Sequence, residues 1–160
     1  MKESKFEKYV VRESTPPNPS IQWGISELGI TDLYHFLRPD GPIKQSNTMV
    51  EFAWITKDSA FGVTKDKPPH SHDCDEIFVF LGTDPDDNTK LGADVEFWLG
   101  EGAEAEIIKL NTSGLVFVPK GLVHLPLFFK NVTKMLLWGV IGLNIGETLH
   151  NTDKYPVRGV

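Results

Sequence analysis

The stretch His70-Ser71-His72-Asp73-Cys74-Asp75-Glu76-Ile77-Phe78-Val79-Phe80-Leu81-Gly82 changes character at Glu76. Upstream it is polar, enters from Pro68-Pro69, and carries two histidines one residue apart. Downstream it is an apolar run closed by glycine, apolar on both faces, which reads as a strand. In an extended chain residues i and i+2 project from the same face. His70 and His72 can therefore present two imidazoles to one point, and Glu76 has the same parity. If Glu76 faces inward, Phe78 and Phe80 line the same face. Neutral imidazole and carboxylate suit Zn, Fe, Mn, Ni or Cu. A polar loop with two exposed histidines, leading into an ordinary core strand, fits the same residues.

Outward from this stretch the chain reads as strands. Apolar, β-prone or alternating segments lie at 49–56, 60–64, 75–81, 93–99, 104–110, 115–118, 125–130 and 135–141. Val95, Phe97 and Leu99 alternate with Asp94, Glu96 and Trp98, the pattern of a strand with one buried face. Residues 82–90 read as a turn or exposed loop, and 131–134 as a tight turn. Many short strands with almost no helical period predict an antiparallel sandwich or barrel. Residues 1–45 read as an N-terminal arm that packs on the main body or on a second subunit. Within it, 8–12 predicts a short strand, 26–28 a helical turn and 34–37 a strand. The Pro-rich stretch 15–19 excludes a helix interior or a central strand. Residues 46–150 form the main body and 151–160 an irregular tail.

Composition bounds the partners. The chain has 160 residues and a formal net charge of −6, with 40% hydrophobic and 24% charged residues. That is one soluble globular domain by size and balance. The negative charge and the lack of a basic run argue against nucleic acid or an anionic membrane as partner. No apolar stretch is long enough for a membrane helix, and the first residues show no signal-peptide pattern. The single cysteine, Cys74, excludes an intrachain disulfide and fits a reducing compartment, so the cytoplasm is the expected location.

A second stretch, Gly114-Leu115-Val116-Phe117-Val118-Pro119-Lys120-Gly121-Leu122-Val123-His124, is a strand, a Pro/Gly turn, and a histidine entering the next strand. Alone, His124 reads as a buried core histidine. Together the two stretches resemble the paired motifs of the cupin superfamily. His70-x-His72-x3-Glu76 matches the first motif, with Gly82 one residue early and the leading glycine displaced. Gly114-x4-Pro119-x-Gly121-x2-His124 matches the second with one spacer residue fewer, and Phe128 stands where the family pattern has asparagine. The resemblance covers residues 48–142, and the segments Asp75 to Pro85 and Glu96 to Gly102 look like those of a group of small single-cupin proteins.

The resemblance implies a double-stranded antiparallel β-barrel of jelly-roll type, the arm outside it. It implies a divalent transition metal held by His70, His72, Glu76 and His124. Glu76 could instead leave the metal and act as a general base, the catalytic role. If His124 faces inward, Pro126 and Phe128 follow it by period 2, unless a bulge breaks the count. Phe78, Phe80 and Phe128 are then the candidate substrate-pocket residues, with plain core packing the alternative. Cys74 shares the ligand parity and could be a soft ligand or redox sensor, although single cysteines are usually inert. His35 and His150 lie outside both motifs.

The three arginines, Arg12, Arg38 and Arg158, all fall outside the strand array. That disfavours an arginine clamp for carboxylate or phosphate and favours a neutral, possibly aromatic, small molecule. The first functional reading is a metal-dependent enzyme of the dioxygenase, isomerase or decarboxylase type. A non-catalytic small-molecule-binding module comes second, and a structural unit whose metal staples the barrel third. Exposed sheet edges and the apolar-containing arm predict a homodimer.

Overall fold

The alternation at the centre of the chain sets the architecture. In the computed structural model the strand Lys90–Leu99 buries Leu91, Ala93, Val95 and Phe97 and turns Gly92, Asp94, Glu96 and Trp98 outward. The structure describes residues 5–12, 34–37 (backbone), 43, 45–62 and 69–145. Nine strands run through them: β1 Tyr34–Leu37, β2 Thr48–Ile55, β3 Ser59–Phe61, β4 Asp75–Gly82, β5 Lys90–Leu99, β6 Glu106–Thr112, β7 Gly114–Val118, β8 His124–Lys130 and β9 Leu136–Leu143.

They form two antiparallel sheets, a five-stranded one in the order β1-β2-β9-β4-β7 and a four-stranded one in the order β3-β8-β5-β6. This is the jelly-roll architecture, as two packed sheets that do not close into one continuous barrel. The sheets pack because each has one apolar face to bury. Aromatic rings meet across the interior: Phe78 lies 4.7 Å from Phe97 and Phe61 lies 4.5 Å from Trp138. Each fully buried phenylalanine contributes about 1.5–3 kcal/mol by leaving water. Among the described residues no helix is long and apolar enough to cross a membrane.

Strand boundaries differ from the sequence reading at the ends. The short strand expected at 8–12 is absent; Glu7–Tyr9 is instead a 3-10 turn, and Phe6, Tyr9 and Val10 stay exposed. Among the described residues no strand edge lies beside this segment for it to pair with. The strand expected at 60–64 is Ser59–Phe61, because Gly62 turns the chain with φ +71°. The helical turn expected at 26–28 and the tail at 151–160 lie outside the described residues.

One register break matters for the site. Between β5 and β8, Phe97 is opposite Leu127 and Leu99 is opposite His124. Two steps on β5 match three on β8, so β8 holds one extra residue, a β-bulge. Leu125, with φ +78°, sits in it. Past the bulge the buried positions are Leu127 and Phe129.

Candidate metal centre

The two histidine stretches are stitched together by their backbones. His70 N–H donates to the His124 carbonyl at 3.1 Å, and His124 N–H donates back to the His70 carbonyl at 2.9 Å. Gly121 N–H donates to the His72 carbonyl at 2.9 Å. Lys120 N–H donates to the Asp75 carboxylate at 2.8 Å. The Pro119–Gly121 turn is thus bound to the loop of the first stretch, which places all three imidazoles at one end of the sandwich.

The rings converge. His70 Nε2 and His72 Nε2 are 3.0 Å apart, and the ring centroids of His70 and His124 are 4.8 Å apart. One nitrogen from each of His70, His72 and His124 lies within 4.8 Å of the others. Glu76 on β4 stands beside them. Its Oε2 is 3.3 Å from His124 Nε2 and its Oε1 is 3.7 Å from His72 Nε2. Glu76 and His124 are buried, whereas His70 and His72 are half-buried.

Burial decides the charge state. The Glu76 carboxyl is pushed up to about 8, first by burial and then by the charge of Glu51. His72 is pushed down to about 3, by burial and then by His70 and His124. His124 is pushed down to about 4, by burial and then His70, against the pull of the Leu122 carbonyl. At neutral pH the metal-free site therefore holds His72 and His124 as neutral imidazoles beside a largely protonated Glu76 carboxyl, not as ion pairs with it.

These residues fit a metal ion. Neutral imidazole is the form that ligates. His124 Nδ1 lies 3.3 Å from the Leu122 carbonyl oxygen, so the contact assigns the proton to Nδ1 and leaves the Nε2 lone pair for the site. Glu76 Oε2 is buried and has no hydrogen-bond partner. Nitrogen donors about 2.1 Å from one ion, at tetrahedral or octahedral angles, stand roughly 3.0–3.4 Å apart. The 3.0 Å between His70 Nε2 and His72 Nε2 matches that spacing, and His124 Nε2 to Glu76 Oε2, at 3.3 Å, is close to it; the 3.7 Å from His72 to Glu76 and the histidine separations of up to 4.8 Å would have to close around the ion.

The other candidate residues divide. Phe78 is buried and lies 5.4 Å from the His124 ring, with Phe97 at 6.3 Å. Phe80 is buried one rung deeper, packed on Phe97 and Phe129. Phe128 does not join them. The bulge in β8 turns it to the opposite face from Leu127 and Phe129, half-buried, with Lys130 Nζ 5.3 Å from its ring. Pro126, on the same count, is also only half-buried. Cys74 is outside the three-histidine group, and its thiol is pushed up to about 11 by burial and then by Glu76, Asp75 and Asp73. It is held as the unreactive thiol.

Sequence reasoning missed Glu51. It is 5% exposed on β2, and its Cα partner on β9 is Val140, which in turn is paired with Phe78. A second buried carboxylate therefore faces the same interior as Glu76. The signal was present: Glu51 interrupts an apolar strand with the parity of the fully buried Ala53 and Ile55.

No family model matches the chain, and no curated protein matches it in sequence. Similar folds occur among solved structures. Recombinant oxalate oxidase in complex with glycolate aligns with a TM-score of 0.53 at 10% identity, over 87% of this chain and 61% of that one. Hydroxypropylphosphonic acid epoxidase from S. wedmorenis aligns at 0.44 and 10% identity, over 69% of this chain and 49% of that one. KdgF from Halomonas sp. aligns at 0.42 and 16% identity, over 71% and 78%. The chain spans about half the length of the epoxidase. At these identities the likeness is one of fold, and the oxidase carries it.

Proposed function

The chain has the cupin fold, and on that premise we propose that it is a metal-dependent enzyme acting on a small neutral or aromatic molecule, of the dioxygenase, isomerase or decarboxylase type. One observation carries the reading: three histidine nitrogens converge beside a buried carboxylate oxygen that has no hydrogen-bond donor. His70, His72 and His124 would hold the ion, with Glu76 as fourth ligand. A divalent Fe, Mn, Ni, Zn or Cu ion bound there would supply Lewis acidity, and iron or copper would add redox chemistry.

The remaining work falls to the chain's own side chains. Off the ion, Glu76, whose carboxyl burial pushes up to about 8 in the metal-free site, can hold or release a proton at its Oε atoms; on the ion it would be the deprotonated fourth ligand. Phe78 and Phe97 wall the ligand group on its inner side and keep water from it. Among the described residues the buried polar and charged ones are Glu51, Glu76 and His124, with no buried lysine or arginine. Lys130 is engaged by Glu96 and Lys120 by Asp73 at the surface. Beyond the ion's own charge, an anionic substrate would find no buried cationic side chain among the described residues, which supports a neutral one.

The test is reconstitution. Metal-free protein is loaded separately with Fe(II), Mn(II), Ni(II), Zn(II) and Cu(II). Each form is incubated with a panel of neutral aromatic and aliphatic compounds, with and without oxygen, and followed by mass spectrometry. The proposal expects turnover with one metal and its loss in His72→Ala. A compound that binds tightly and is recovered unchanged with every metal would make the chain a binding module instead.

A further inference from the structure

Most inward positions of β2 and β9 are apolar, and two are not. Glu51 on β2 is 5% exposed and Trp138 on β9 is 4% exposed. Burying a carboxyl or an indole N–H costs free energy unless it is hydrogen-bonded. Trp138 Nε1 is buried and has no hydrogen-bond partner. Its ring packs on Phe61 at 4.5 Å, with Phe78 and Phe129 each at 6.5 Å. Aromatic packing thus fixes the ring without satisfying its N–H. A phenylalanine there would pack without that cost.

The two residues are neighbours. Glu51 is paired with Val140, and Trp138 with Ala53, the next inward pair along the same two strands. Glu51 and Trp138 are therefore diagonal cross-strand neighbours, about 7–8 Å apart at the backbone and within reach of long and aromatic side chains. One brings an acceptor and the other a donor to the same interior. A carboxyl has about four lone-pair directions, so Glu51 can take a donor from a ligand besides any partner in its own chain. The pair lies inward of the histidines. Met49 shares a row of the sheet with Gly142 and Glu76, and Glu51 stands one inward row, about 7 Å, deeper. Gly142 puts no side chain between Glu76 and β2 in that outer row; a Cβ there would lie 3.0 Å from Ile145 Cδ1 and 3.4 Å from Met49 Cβ.

We propose that Glu51 and the Trp138 indole N–H form a subsite that reads a hydroxyl, and that the molecule taken up at the metal centre is a neutral one bearing that group. The inference rests on the reading of the chain as a metal site for a small neutral molecule, and it names the group that molecule carries. A hydroxyl donates one hydrogen bond and accepts others, so it can donate to Glu51 and accept from Trp138 Nε1 at once. An ether accepts from Trp138 but has nothing to give Glu51. An ammonium gives to Glu51 but cannot accept from Trp138. A site built to bond a hydroxyl rejects the analogue that lacks it, because its own buried groups are then left unpaired.

The test is a titration of full-length protein, loaded with redox-silent Zn(II), with benzyl alcohol, benzyl methyl ether and benzylamine. The readout is the indole N–H resonance of Trp138 in nitrogen–proton correlation spectra, assigned among the four tryptophans by Trp138→Phe. The alcohol should move that resonance to lower field and bind about tenfold more tightly than the ether or the amine. Glu51→Leu should abolish the preference for alcohol over ether. Glu51→Gln, which keeps an acceptor oxygen, should restore most of it. Trp138→Phe should abolish the preference for alcohol over amine. A melting temperature checks the fold of each variant. An alcohol that leaves the Trp138 resonance in place, or binds no better than the ether and the amine, overturns the proposal on wild type alone. So does a folded Glu51→Leu that keeps the preference, since Glu51 is then only a buried structural acid. The enzyme reading fails separately. Alcohol binding with the Trp138 shift, but no turnover with any metal, keeps the subsite and removes the enzyme. Turnover of a compound without a hydroxyl, with no shift, does the reverse.

Discussion

The contribution of Glu76, His72 and His124 to the stability of the metal-free protein should peak near pH 6.5. Unfolded, Glu76 titrates near 4.5 and the histidines near 6.5; folded, Glu76 titrates near about 8, His72 near about 3 and His124 near about 4. Between pH 4.5 and 6.5 the unfolded chain binds two histidine protons that the folded chain refuses. The folded chain keeps one glutamate proton that the unfolded chain has lost. The difference is one proton, so stability rises by about 1.4 kcal/mol per pH unit. Between 6.5 and 8 only the glutamate proton differs, and it is bound in the folded state. Stability then falls at the same slope, by about 2 kcal/mol in total. Above about 8 the contribution is lost and the curve flattens. Urea denaturation of chelator-treated protein at pH 5.5, 6.5, 7.5 and 8.5 reads this directly. In Glu76→Gln the alkaline fall should vanish while the acid limb remains. A wild-type stability that is level from pH 6.5 to 8.5, or an alkaline fall that survives in Glu76→Gln, would refute the reasoning.

The other predictions concern the same site and the core around it. Metal binding must displace the Glu76 proton, so the metal dissociation constant should drop about tenfold per pH unit from 6.5 to 8 and level off above; a constant value by titration calorimetry would remove Glu76 from the ligand set. Phe97→Ala, at a position with no exposure in contact with Phe78, should cost about 3–5 kcal/mol by denaturant melt, whereas Phe128→Ala should cost about 1 kcal/mol or less and leave metal binding unchanged. Equal losses would contradict the placement of Phe128. Gly82→Ala would put a Cβ 1.9 Å from the Lys90 carbonyl oxygen and should destabilise by about 1–3 kcal/mol, while Gly114→Ala, with nothing within 4 Å, should be near neutral in the same melt.

The strands were legible because their residues alternate or run apolar between clear turn signals. Val95 and Phe97 against Asp94 and Glu96 read as one buried face, and they form one. The proximity of His70 and His72 was legible from parity alone. Their meeting with His124 came from paired-motif resemblance, since no local pattern states that residues 54 apart share a point. What failed depended on long-range structure. The fate of Phe128 turned on one extra residue in β8, set by its pairing with β5 and invisible to a count along one strand. Glu51 was passed over because a lone acid in an apolar strand reads as a polar outward position until its neighbours' burial is known. The 3-10 turn at Glu7–Tyr9 replaced a strand because a strand needs a partner that the local sequence does not supply.

The central claim is that His70, His72 and His124, with Glu76, hold one metal ion. Elemental analysis of protein purified without chelator or affinity nickel tests it most directly, beside a His70→Ala/His124→Ala variant checked for folding by circular dichroism. The account predicts about one transition-metal ion per wild-type chain and essentially none in the folded variant. Wild type that carries no metal, even after reconstitution with Fe, Mn, Ni, Zn and Cu, or a variant that retains it, would contradict the account.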